Sequence, residues 1–180
     1  MRQLWLGLLL CACSGSSDNE VEGSVLGNSL TARDAIFFVH NGRQLVVVSN
    51  QDATCRQLKS QTITGDVRLL EMYLWNAGSP EPANLVEGTY EVDGTVSLES
   101  EAYFGAGRGC NAGTTRWFRA GTGRVILIHA GFPEPGERAG VAFRLNFGDE
   151  VLTGHADASY CDLPETGLIG CINEGPPGEP

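Results

Sequence analysis

The chain has 180 residues, 22 of them acidic and 12 Lys or Arg, for a formal net charge of −10. So acidic a chain offers no electrostatic footprint to nucleic acid or to an anionic membrane surface, and partners of those kinds are excluded as charge-driven contacts. Twenty-four glycines and eight prolines argue against long helices, while the length suits one domain with a proper core.

A single cation, Arg2, precedes the apolar run Leu4-Trp5-Leu6-Gly7-Leu8-Leu9-Leu10. As a helix that run rises about 10 Å, well short of the ~20 residues needed to cross a bilayer. A charged start, a short apolar stretch and small residues behind it predict a secretory signal, and so export. Leu10-Cys11-Ala12-Cys13 resembles the lipobox of bacterial lipoproteins, with an aliphatic residue three before the target cysteine and a small residue just before it. The resemblance implies that residues 1–12 are a lipoprotein signal peptide, and that Cys13 carries a diacylglyceryl group and an N-acyl chain. Cys11 fits less well, because bulky Leu10 would fill the small-residue slot. Ser14 follows the target where an Asp would resemble an inner-membrane retention signal, which implies the outer membrane, at its periplasmic face or the cell surface. Two or three acyl chains anchor far more firmly than one, and lipidation removes an exposed thiol from an oxidising compartment.

Removing residues 1–12 takes away Arg2 and leaves 11 basic against 22 acidic side chains. Residues 13–20 read as the lipidated cysteine and a flexible tether, 21–163 as an all-β domain, and 164–180 as a Cys-clasped tail rich in Pro and Gly. Four further thiols, Cys55, Cys110, Cys161 and Cys171, predict two disulfides in an exported protein. Chain order offers Cys161–Cys171 as a local clasp with Cys55–Cys110 tying distant segments. The alternative joins Cys55 to Cys161, and spacing does not choose. No C-x-x-C is present, so a zinc site is not expected.

Along the domain, short runs of Val, Ile, Leu, Phe and Tyr are broken by Gly, Asn, Asp and Pro. In "DAIFFVHNGRQLVVVSN" two β-rich runs flank Asn41-Gly42, the pair suited to the positive φ at both centres of a type I′ turn, and this predicts a hairpin. "DATCRQLKS" is the one place for a short helix. From Asp66 to Trp75 a strand is apolar on both faces, with Leu70, Met72 and Leu74 on one and Val67, Leu69, Tyr73 and Trp75 on the other; such a strand is central and covered. "LVEGTYEV" and the half-exposed "GTVSLESEAYF" follow, then "GAGRGCNAGTT" as a glycine-rich loop holding Cys110. "RWFRA", "RVILIHA" and a second hairpin about Gly148-Asp149-Glu150 complete the pattern. Eight to ten strands with short connections predict an antiparallel β-sandwich or barrel, with a lipocalin-like closed barrel as the alternative. The lipobox, the "G-x-x-L" at Gly27 to Leu30, "EGTY" and the closing "FGDEVLTGHADASYC" resemble small bacterial lipoproteins of unknown function. That resemblance implies a fold and an address, with no catalytic residues.

Candidate sites are sparse. His155 and Asp157 lie two apart on one strand and share a face, the arrangement of two weak metal candidates, but Thr153 and Ser159 share it too, as on the wet side of a sheet. His40 and His129 end apolar strands and read as edge residues. Glu99 and Glu101 suit a solvated face. Trp75, Trp117 and Phe118 read as packing residues, or as the lining of an apolar cavity if a barrel encloses one. The expectation is a non-enzymatic binding or interaction module, with no cofactor beyond the lipid on Cys13. Its partners are the membrane through that anchor and either another envelope protein or a small ligand. The alternatives are a structural envelope protein or a carrier of small apolar ligands.

Overall fold

Asn41 and Gly42 form the predicted turn, with φ of 51° and 70°, and the hairpin they close is the seed from which the sheet is most easily followed. The computed structural model describes residues 19–79, 85–92, 94, 97–109 and 115–163. Twelve strands and one helix are assigned among them: β1 (Glu20–Glu22), β2 (Ser24–Val25), β3 (Asn28–Ser29), β4 (Asp34–His40), β5 (Arg43–Ser49), α1 (Thr54–Ser60), β6 (Asp66–Asn76), β7 (Gly88–Val92), β8 (Leu98–Arg108), β9 (Thr115–Arg119), β10 (Thr122–His129), β11 (Arg138–Phe147) and β12 (Glu150–Tyr160). The short helix falls where "DATCRQLKS" predicts it. Glu20, expected in the tether, begins β1, which pairs with β12, and just before it the Asn19 side chain accepts the Asp157 N–H at 2.9 Å.

Eight strands close a barrel in the order β12-β11-β10-β7-β8-β6-β5-β4 and back to β12. The all-β barrel of the sequence reading is therefore the architecture, and the sandwich is not. Two of its junctions are parallel rather than antiparallel: Glu91 and Val92 of β7 beside Glu99 and Ser100 of β8, and Ile36 and Phe37 of β4 beside Ser159 and Tyr160 of β12. β8 and β12 each run for 11 residues, so one edge of each serves two partners in succession. Along β8 these are β7 and then β9; along β12 they are β1 and then β4.

The two apolar faces of β6 divide as its alternation requires. Leu70, Met72 and Leu74 point into the barrel, where they join Phe37, Tyr90, Phe104, Phe143 and Leu145 in one buried cluster. Val67, Leu69 and Tyr73 point outward and are covered with Ile36, Phe38, Leu45 and Val47 by Leu58 of α1 and by Leu163. An eight-stranded barrel has an interior just wide enough for side chains to fill it, and the inward positions of β4, β6, β8, β11 and β12 are filled in this way. The outer cluster is pinned by a disulfide between Cys55 of α1 and Cys161 just after β12, with Cα atoms 5.6 Å apart. Cys55 is thus joined to Cys161, the alternative connectivity, and the Cys161–Cys171 clasp with Cys55–Cys110 is overturned. Cys110 and Cys171 lie outside the described residues.

The glycine-rich stretch also differs from expectation. Gly105, Ala106, Gly107 and Arg108 are strand, paired with β6 on one side and β9 on the other, and the chain leaves the sheet only at Gly109. At Gly105 the missing side chain is a packing requirement: a Cβ there would stand 2.5 Å from the Trp117 ring.

Candidate functional site

Beyond its parallel contact with β7, β8 continues with β6 and β9 past the end of the closed barrel. Side chains that alternate inward now meet a mouth rather than a core. Arg108 lies opposite Asp66, Arg116 opposite Ala106, and Phe118 opposite Phe104, so all share the inward side. A groove of about 600 Å³ opens here, within the range of small-ligand sites. Ala106, Gly107 and Phe118 form its floor, Arg108 and Arg116 are exposed at its wall with the Asp66 carboxylate opposite Arg108, and Leu26 and Asn28 make its lip.

The lip is the β2–β3 hairpin, set over the mouth by its own apolar residues. Val25 and Leu30 are buried in the barrel cluster, while the Glu150 carboxylate accepts the Leu26 N–H and approaches the Ser24 hydroxyl at 3.4 Å. Arg68 donates to the Ser29 carbonyl at 3.1 Å and pairs with Asp66 at 2.9 Å. Asp66 is thereby taken by Arg68, and Arg108 and Arg116 make no ion pair among the described residues. In a chain of net charge −10, the groove wall is a locally cationic place.

Leu26 itself is unusual. It occupies the first centre of a two-residue turn at φ 49°, followed by Gly27 at φ 74°. Asn or Gly suits such a position, whereas a branched residue in the left-handed region costs roughly 1–2 kcal/mol. Its side chain is 65% exposed, so burial does not offset that strain.

A second, shallower depression of about 290 Å³ lies on the outer face over β10, β11 and β12, lined by His129, His155 and Asp157. His129 reaches it through a β-bulge: pairing with β11 skips from Leu127 to His129, which turns the imidazole outward. The ring then crosses the bare backbone of Gly140, where a Cβ would be 2.4 Å away, and Nε2 comes within 3.6 Å of Asp157 Oδ1. Arg138 holds the other carboxylate oxygen at 2.8 Å, and His155 Nδ1 faces Glu20 at 3.9 Å. His155 and Asp157 do share the outer face with Thr153 and Ser159, as alternation predicts, and Asp157 is ion-paired with Arg138 while the His129 ring lies beside its other oxygen. Among the described residues no group of three His, Cys, Asp or Glu side chains is placed to hold a metal. The bulge that brings in His129 leaves no signal in the sequence.

Elsewhere the aromatic candidates separate. Trp75 lies on the outer face with Arg43 stacked 4.2 Å from its ring centroid, Trp117 covers Gly105 there, and Phe118 alone reaches the groove. Glu101 is no bare solvated acid: it takes Arg43 at 3.2 Å and Arg119 at 3.0 Å. His40 is buried against Phe38 rather than exposed at an edge, with ring centroids 6.4 Å apart. Burial, and then the charge of fully buried Glu71, push the Tyr73 hydroxyl far above its ordinary range. Cys13 lies outside the described residues.

Fold and site together define a closed, mixed β-barrel with a filled interior and an open, arginine-bearing mouth. No protein-family model, no curated protein and no solved structure matches the chain.

Proposed function

We propose that the protein is an exported lipoprotein, held at the bacterial outer membrane by acyl chains on Cys13, whose barrel is a non-catalytic binding module. The anchor rests on the Leu10-Cys11-Ala12-Cys13 signal. The observation that carries the binding role is the groove at the mouth, where two arginines without ion-pair partners among the described residues stand beside an exposed, conformationally strained leucine. A side chain held exposed against its backbone preference is better explained by contact with something than by stability. The side-chain packing of the barrel interior weighs against the carrier alternative, because the apolar volume is already occupied.

Native mass spectrometry of the full-length protein extracted from the envelope tests both halves. The anchor predicts a mature chain beginning at Cys13 with its acyl chains, lost in Cys13→Ser. The module predicts an additional non-covalent ligand mass that disappears in the Arg108→Glu, Arg116→Glu double variant. An unmodified Cys13 overturns the first, and a protein that carries no ligand mass overturns the second.

A further inference from the structure

The groove has two chemistries side by side, and together they specify what fits it. Arg108 and Arg116 supply guanidinium donors suited to an oxyanion, and the one carboxylate in the lining, Asp66, is paired with Arg68 at 2.9 Å, which leaves the two arginines for a ligand. Leu26, Phe118 and Ala106 supply an apolar surface next to them. A purely inorganic anion would leave that surface wet, and a purely apolar ligand would bury guanidinium groups without partners, at a high desolvation penalty. We propose, resting on the binding-module reading above, that the mouth binds an amphipathic organic acid: a carboxylate head on Arg108 and Arg116, with a short apolar chain between Leu26 and Phe118. A free medium-chain acid suits the site better than an embedded lipid, because the groove, at about 600 Å³, is of small-ligand size.

Leu26 provides the sharpest handle. At φ 49° in a two-residue turn, asparagine is the better residue for the backbone, so Leu26→Asn should fold at least as well as the natural chain while removing apolar contact. Leucine at this position trades stability for apolar contact, which a merely structural lip would not need.

The test titrates full-length lipidated protein in nanodiscs with octanoate, octanol and octylammonium by calorimetry, using empty nanodiscs to subtract partition into lipid. Octanoate should bind, and octanol and octylammonium should bind at least about tenfold more weakly, as expected when a charge-assisted pair is lost. Arg108→Gln with Arg116→Gln should lower octanoate affinity by about tenfold or more and abolish its dependence on salt. Leu26→Asn should lower it several-fold with an unchanged or raised melting temperature. Octanol binding as tightly as octanoate, or Leu26→Asn binding octanoate as the natural chain does, overturns the proposal. If octanoate fails while the envelope-extracted protein still carries a ligand lost on charge reversal, the ligand class falls and the binding module stands; if no ligand is carried either, both fall.

Discussion

Trp117 packs its indole across the bare backbone of Gly105, the residue directly opposite it on β8. Because a Cβ would stand 2.5 Å from the ring, glycine here serves a side chain on the next strand rather than a turn. Gly105→Ala is expected to displace the indole and destabilise the barrel by about 1–3 kcal/mol, the usual range for overpacking. Urea unfolding followed by tryptophan fluorescence would show a lower midpoint and an altered native emission. An unchanged midpoint would mean that the ring moves aside freely.

That pair also shows where the sequence stops being informative. Glycines at 105, 107 and 109 resemble a loop when read along the chain, because the residue that requires Gly105 sits 12 positions later on a different strand. By contrast the Asn41-Gly42 hairpin and the two-faced β6 were legible, since turn chemistry and alternation are local. The closed barrel was legible only as a class. Its parallel junctions depend on which strands share the edges of β8 and β12, and pairing of that kind is set by whole-sheet geometry. The site was least legible: Phe118 was visible as an aromatic, but Arg108, Arg116 and Leu26 converge only because β8 outruns the barrel.

Reduction of the Cys55–Cys161 bond should be costly. The bridge spans 106 residues of sequence, and a cross-link of that reach stabilises by roughly 2–5 kcal/mol through the unfolded chain. It also fastens α1 over the outer cluster, so its loss should loosen Leu58 and Ile63 before the interior. Cys55→Ala with Cys161→Ala should therefore lower the melting temperature, and reductant should lower that of the natural protein by more than that of the variant. Peptide mapping without reductant should recover Cys55 joined to Cys161; recovery of Cys55 with Cys110 would refute this connectivity.

Alkaline pH should unfold the protein from the tyrosines outward. All four, Tyr73, Tyr90, Tyr103 and Tyr160, have hydroxyls raised above their ordinary value, in each case chiefly by burial. A raised folded-state value means that the unfolded chain gives up the proton first. Stability is then fully present below about pH 10, the ordinary tyrosine value, and is lost as pH rises through the folded-state values. Absorbance near 295 nm should consequently show little tyrosinate in the native state up to about pH 10, then a steep rise that coincides with loss of the β signal in circular dichroism. Smooth, independent titration of four tyrosines in a folded protein would contradict this.

Glu101 ties together strands that do not all touch one another. From β8 it takes Arg43 of β5 at 3.2 Å and Arg119 of β9 at 3.0 Å, with the Tyr103 hydroxyl at 3.4 Å. The glutamate side chain is 22% exposed and the arginines about twice that, so solvent and salt screen the pairs, and together they should contribute only about 1 kcal/mol. Glu101→Gln is expected to destabilise by about that amount at low ionic strength, with the gap shrinking in 1 M salt. Arg43→Ala removes only one of the two pairs, but with it the cation stacked 4.2 Å from Trp75, a contact of roughly 0.5–1 kcal/mol at an exposed site, so its loss should be at least as large. The stacking part of the Arg43→Ala loss should persist in salt, because a ring quadrupole at contact distance is screened far less than two wet charges. An Arg43→Ala loss that disappears in 1 M salt along with that of Glu101→Gln would mean that the stacking contributes nothing and the ion pairs carry the whole effect.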